Sequence, residues 1–453
     1  MISDGENKVQ AIVDVGAGGP SMGISEFQNW YQHYDYKLPE LELPVDNPEK
    51  AITDCIDVQL EAGLTSIVWS CGRSVVSYHS ELENSTRQGT YPMKPILDRI
   101  CPLRTALEYA HQNHTPILGR LAMNRHYRPS SDPGGAWSGN SSRFATEHPE
   151  YRETSKLGNE VGHRLCYAIE AVQRERIDIL LEIQRIGVDA LVLDYCRQMP
   201  VLLYHRALVE PFKEKTGSDP RELHSTRPED YTEWFRYRAD VLTGFMRTLR
   251  TEVAEQEKRL GRSCPIIVRV PDGAPWLMIA YGLDIERWCR DDLVDGLMLS
   301  PFPAAIEDLE LYPEYAIDTA HRYGKYVIGG LGSLNLLRSK GNGHQLKNTG
   351  FYHDKPAFQK VARQYRGGAD AMSLYQSETL ARLDYLSDLI PHLGDKAAVL
   401  DKAESLDDPD AEQLFRNNSS RRSIGLDWHS SWCLPKLKAG ESLSTYIAGD
   451  SAL

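Results

Sequence analysis

Eight short apolar runs recur along the chain, each separated from the next by a stretch with helical spacing, and this alternation limits the fold more than any other feature. The runs are QAIVDVG (10–16), TSIVWSC (65–71), TPILGRLA (115–122), DALVLDY (189–195), PIIVRVP (265–271), DGLMLSP (295–301), KYVIGGL (325–331) and DAMSLYQ (370–376). Strand-helix alternation is the order of a parallel α/β fold, and nearly continuous apolar runs suit strands covered on both faces. Eight is the number that closes a barrel, so the fold class expected is a (β/α)8 TIM barrel over residues 1–393, with 394–453 as a C-terminal extension.

The intervening segments agree. IEAVQRERIDILLEIQRIG (169–187) repeats Ile169, Val172, Ile179, Ile183 and Ile186 at helical spacing, and Gly187 supplies a stop before the fourth run. PLRTALEYAHQN (102–113) carries its proline in the first turn, where a missing amide donor costs little. GLDIERWCRDDLVDGLML predicts a short helix leading into the sixth run. The long connections, 72–98, 123–165 and 196–228, all follow strands and are expected as loops. In a barrel the connections after the strands build the functional face.

Composition removes several function classes. Across 453 residues the net charge is −13, which opposes a duplex-binding surface, and no apolar run approaches the ~20 residues of a membrane span. Neither nucleic acid nor membrane is expected as a partner. MISDGENKVQ lacks the charged-then-apolar order of a signal peptide, so a cytoplasmic protein is expected, with export as the alternative. The eight cysteines include no C-x-x-C pair, and the histidines show no His-x-His strand, so no metal and no cofactor are expected. VGAGGPSMG (15–23) lacks the G-x-G-x-x-G spacing of a dinucleotide loop, and Pro20 opposes the helix such a loop requires.

If the strands close, their carboxyl ends bring together Asp14, Arg73, Arg120, His126, Asp194, Tyr195, Arg197, Arg269, Asp272, Tyr375 and Glu378, with Trp137 and Trp276 on the same side. Aromatic faces beside carboxylates and guanidinium groups suit a polyhydroxylated ring. Glycoside hydrolysis needs two carboxyl groups, one ionised and one protonated. Asp194 is the candidate for the ionised role, since Arg197 and Arg269 would favour its charge; it would otherwise cap a helix or pair with an arginine. For the acid, Asp272 beside Trp276 competes with Glu378. Pro-Asp-Gly is also a plain turn signal, and Glu378 also suits a helix's first turn. Asp14, Arg73, Arg120, His126, Trp137, Tyr195, Arg197, Arg269, Trp276 and Tyr375 are candidate substrate-binding residues.

The order of PLRTALEYAHQNHTPILGRLAMNRHY (102–127), HPEY (148–151), GVDALVLDYCR (187–197), DYTEWFRYRADVLTGFMRTLR (230–250) and GLDIERWCRDDLVDGLMLSPF (282–302) resembles the glycosyl hydrolase-like family ten domains. The resemblance covers roughly residues 100–300 and implies a barrel acting on a glycan, with Asp194 as the acid that carries over. A single Asp194 followed by Tyr195 stands where the family usually has two successive acids and an aromatic. A glycan-binding barrel without catalysis is the first alternative. The second is a lyase or isomerase acting on an anionic small molecule, for which GGLGSLN (329–335) would be the phosphate nest.

Overall fold

The computed structural model describes residues 11–15, 46–89, 93–124, 126, 141–196, 199–223, 228–300, 313–332, 354–375 and 388–405. Ten strands occur among them: β1 (Ala11–Val15), β2 (Ser66–Gly72), β3 (Ile117–Ala122), β4 (Arg152–Thr154), β5 (Glu160–Leu165), β6 (Ala190–Asp194), β7 (Ile266–Pro271), β8 (Gly296–Ser300), β9 (Tyr326–Gly332) and β10 (Ala371–Tyr375). All but β4 and β5 belong to one curled parallel sheet in the order β1-β10-β9-β8-β7-β6-β3-β2, and β1 is laddered to both β10 and β2. Each of the eight apolar runs overlaps one of these strands, with β2 and β9 each running one residue past the expected end.

Alternation along the strands separates two cores. Val68, Leu118, Ala190, Val192, Ile267, Met298, Ile328 and Ala371 form a cluster of their own inside the curled sheet. Their chain neighbours, among them Ile67, Leu191, Leu193, Val268, Leu297 and Met372, join the larger cluster shared with the helices. That is the period-two geometry of a pleated strand. The helix Glu170–Ile186 lies directly on β3: a Cβ on Gly119 would meet Ile183 Cγ2 at 2.6 Å, so any larger residue there must displace Ile183. The same helix ends at Gly187, whose φ of +130° an L-residue rarely adopts.

Three aspartates repeat one construction at the amino ends of the strands. Asp189, Asp295 and Asp370 each immediately precede an even member of a strand pair: β3/β6, β7/β8 and β9/β10. Their carboxylates accept the N–H of Ile117 at 2.7 Å, Ile266 at 2.8 Å and Val327 at 2.8 Å, and their own N–H groups donate back to those residues' carbonyls. Each also engages a cationic or imidazole side chain from the helices, namely His111, Arg250 and His321. These reciprocal pairs fix the register at which one strand enters beside the next.

The segment 123–165, expected as a loop, carries a two-stranded antiparallel sheet instead, β4 with β5. Its turn, Ser155 to Asn159, places Gly158 at φ +84°. Thr154 and Tyr204 are joined by two hydrogen bonds at one end, the Tyr204 N–H donating to the Thr154 carbonyl and the Thr154 hydroxyl to the Tyr204 carbonyl. The hairpin is thereby tied to the connection that follows β6. No helix among the described residues is long and apolar enough to cross a membrane.

Candidate active site

Asp194 closes β6, in register with Ala122 on β3 and Arg269 on β7. It follows Ala190 and Val192 on the inner face and is buried, at 2% exposure. One oxygen, Oδ1, accepts the backbone N–H of Cys196 at 2.9 Å. The other, Oδ2, stands between two guanidinium groups, accepting from Arg120 Nη1 at 3.3 Å and Arg269 Nη1 at 3.2 Å. Arg120 comes from β3 and Arg269 from β7, so the two strands flanking β6 each send a cation to its terminal carboxylate. Arg269 Nη2 in turn donates to Ser300 Oγ at 2.9 Å, the last residue of β8. Charge-assisted bonds of this kind, away from water, fix geometry strongly.

Asp272 lies one residue beyond β7 and is likewise buried, at 3%. Burial raises its carboxyl above the ordinary value, opposed chiefly by Lys360, whose Nζ lies 3.9 Å from Oδ2. Lys360 belongs to the helix Asp354–Arg366 and is itself lowered by burial. Asp272 is desolvated yet faces a lysine, and Trp276, its neighbour in the sequence, is 40% exposed. Nothing in FQKVARQYR marks Lys360 as buried, because the helical pattern there is carried by Phe358, Val361, Ala362 and Tyr365.

Two sequence expectations are corrected. Tyr195 does not face the mouth: next to an inward Asp194, strand alternation turns it outward, where its hydroxyl meets Met246 Sδ at 3.6 Å and its ring packs against Trp288. It is a fully buried core residue. His126 is also enclosed, at 1% exposure, with Nε2 3.9 Å from Glu175 Oε2 and neither ring nitrogen hydrogen-bonded. It lies against the Glu175–Arg176 pair. Burial lowers His126, and the Arg176 guanidinium lowers it further. That arginine also donates to the carbonyls of Arg73, at 2.7 Å, and Ala122, binding the ends of β2 and β3 together.

Arg73 is buried just past β2. Asp14 and Tyr375 are register partners across β1 and β10, which puts them at one level of the sheet. Trp137, Arg197 and Glu378 lie outside the described residues. Among the described residues no group of three or more His, Cys, Asp and Glu side chains could hold a metal ion. None of the seven described cysteines forms a disulfide, and six of them are buried.

No family model matches the chain, and no curated protein matches it. Solved structures do resemble it in shape. The catalytic domain of the β-amylase from Paenibacillus polymyxa superimposes with a TM-score of 0.46 at 11% identity, covering 87% of this chain and 98% of its own. The trehalose-6-phosphate hydrolase of Bacillus licheniformis gives 0.43 at 12% identity, over 95% of this chain and 77% of its own. A glycoside hydrolase family 18 N-acetylglucosaminidase from Paenibacillus barengoltzii gives 0.39 at 13% identity, over 84% and 99%. These are likenesses of shape, and no activity is carried to this chain by them.

Proposed function

We propose that residues 1–393 form one (β/α)8 barrel of the glycosyl hydrolase-like family ten kind, with 394–453 as an extension, and that it hydrolyses a glycosidic bond at the carboxyl ends of its strands. The observation that carries this reading is the buried Asp194 carboxylate, gripped by Arg120 and Arg269, with a second buried carboxyl group, Asp272, just past the neighbouring strand. Cations favour the ionised form of the first, and desolvation the protonated form of the second, which is the division of labour that glycoside hydrolysis needs.

In this mechanism Asp194 stabilises the positive charge that develops on the sugar ring, Asp272 protonates the leaving oxygen, and water then bonds to the anomeric carbon and gives its proton to a carboxylate, which restores the starting protonation states. Arg73 and the exposed indole of Trp276 contact the sugar, together with Asp14, Trp137, Arg197 and Tyr375. Arg120 and Arg269 act on the carboxylate rather than on hydroxyls, since each donates to Asp194. A carbohydrate is the substrate class, acted on without a metal or cofactor. Leaving-group dependence tests the acid: Asp272→Asn should slow poor leaving groups far more than activated aryl glycosides. If Glu378→Gln shows that dependence and Asp272→Asn does not, the proton comes from Glu378.

One observation favours a second reading, a glycan-binding barrel without catalysis. Three donors already occupy Asp194, and such a carboxylate can be a structural anchor. Glycan binding with no release of reducing sugar distinguishes this case.

A further inference from the structure

Ser300 is a fully buried hydroxyl on the inner face of β8, two residues past Met298 of the apolar inner cluster. Its position is not accounted for by packing alone. The two oxygens of Asp194 are held by different groups: Oδ2 by Arg120 and Arg269, Oδ1 by the Cys196 backbone N–H. Ser300 touches a holder of Oδ2. Its Oγ accepts from Arg269 Nη2 at 2.9 Å.

The consequence for Arg269 follows from the shape of its guanidinium. The group is planar, with its terminal nitrogens spread in a fixed fork. Nη1 points across to β6 and Nη2 across to β8, so the Ser300 contact sets the rotation at which Nη1 meets Asp194. Without Oγ the fork keeps its charge but loses one of the two strands that aim it.

We propose that Ser300 is a positioning residue for the Asp194 carboxylate, bracing Arg269 from β8. The proposal deepens the glycosidase reading and rests on it for its catalytic consequence, while the brace itself is a property of the side chains. The loss expected of Ser300→Ala is in kcat, by about ten- to a hundredfold, because misaiming a reacting group by a fraction of an ångström is costly. KM should change less than about twofold, since Ser300 does not touch the sugar. Ser300→Thr keeps an Oγ and should recover most of the rate.

The experiment pairs these kinetics with an activity-independent measurement. The Asp194 carboxyl is followed by carbon-13 NMR titration in the wild-type chain, Ser300→Ala and Ser300→Thr, with resonances assigned through Asp194→Asn. A misaimed guanidinium stabilises the carboxylate less, so the Ser300→Ala midpoint should move to higher pH and the Ser300→Thr midpoint should stay at the wild-type value. An unmoved midpoint in Ser300→Ala overturns the proposal. If Ser300→Ala does not fold, Ser300→Cys replaces it, and an unmoved midpoint there overturns it equally. Absence of hydrolysis in the wild-type chain would instead defeat the glycosidase reading, with the titration still deciding the brace.

Discussion

Asp194 and Arg269 stand side by side on β6 and β7, in register, and Arg269 Nη1 donates to Asp194 Oδ2 at 3.2 Å with both side chains buried. A pair of this kind is costly to break from one side, because the surviving charge stays desolvated. Arg269→Met should therefore destabilise the fold by about 2–3 kcal/mol, less than the ~3–5 kcal/mol of a carboxylate left wholly unpaired, because Arg120 remains. Urea unfolding monitored by circular dichroism measures it. A loss below about 0.5 kcal/mol would mean that Arg120 alone suffices.

At the opposite end of the strands, Asp295 combines an Arg250 fork with the N–H of Ile266. The ion pair is about one-third exposed and contributes little through charge; the Ile266 amide, on a fully buried residue, matters more. Asp295→Ala should cost about 1–3 kcal/mol, and Asp295→Asn, which retains an acceptor, less than half of that. Equal losses in thermal unfolding would show that the ion pair, not the amide, dominates.

The buried Asp272–Lys360 contact should behave as a unit. Asp272 has a folded-state pKa raised above 3.8, so between 3.8 and that value the folded chain holds a proton the unfolded chain has released, and stability falls as pH rises through the window. Lys360→Met removes the nearest cation and should lengthen this fall to higher pH. The double variant Asp272→Leu/Lys360→Met should remove the fall and match or exceed wild-type stability at pH 7. Additive losses in a double-mutant cycle would contradict the coupling.

His126 gives a dependence of opposite slope. Its folded-state pKa lies below 6.5 because of burial and Arg176, with Glu175 opposing, so the unfolded chain gains a proton first as the pH falls. Stability should decline from pH 6.5 downward and level off below the folded value. His126→Leu, which leaves no imidazole to protonate, should reduce the difference in Tm between pH 7.5 and 5.5. An unchanged difference would assign the acid sensitivity to carboxylates elsewhere.

Most of the sheet was legible because its signal is local. Buried parallel strands are short apolar runs, and every run from AIVDV to AMSLY reads as one without knowledge of its neighbours. Asp194 was legible for a related reason, as the polar residue that ends such a run. The hairpin of β4 and β5 escaped because RET is too short to show alternation, although the Lys-Leu-Gly-Asn turn was a usable sign. Tyr195 and His126 were misplaced because a residue's distance from a strand end does not say which way it faces. Strand parity, applied from Asp194, would have turned Tyr195 into the outer core. Lys360 and the Glu175–Arg176 pair had no sequence signal, since burial of a charge depends on partners brought from distant elements.

Asp194 is the residue on which the proposed hydrolysis depends. The most direct measurement is release of reducing sugar from a broad panel of glycans by the wild-type chain and by Asp194→Asn, with folding of both checked by circular dichroism. Release from at least one glycan is expected, with a loss of several orders of magnitude in Asp194→Asn, because an amide keeps the shape but cannot stabilise the developing positive charge. Release at the wild-type rate by a folded Asp194→Asn, or no release from any glycan by the wild-type chain, would contradict it.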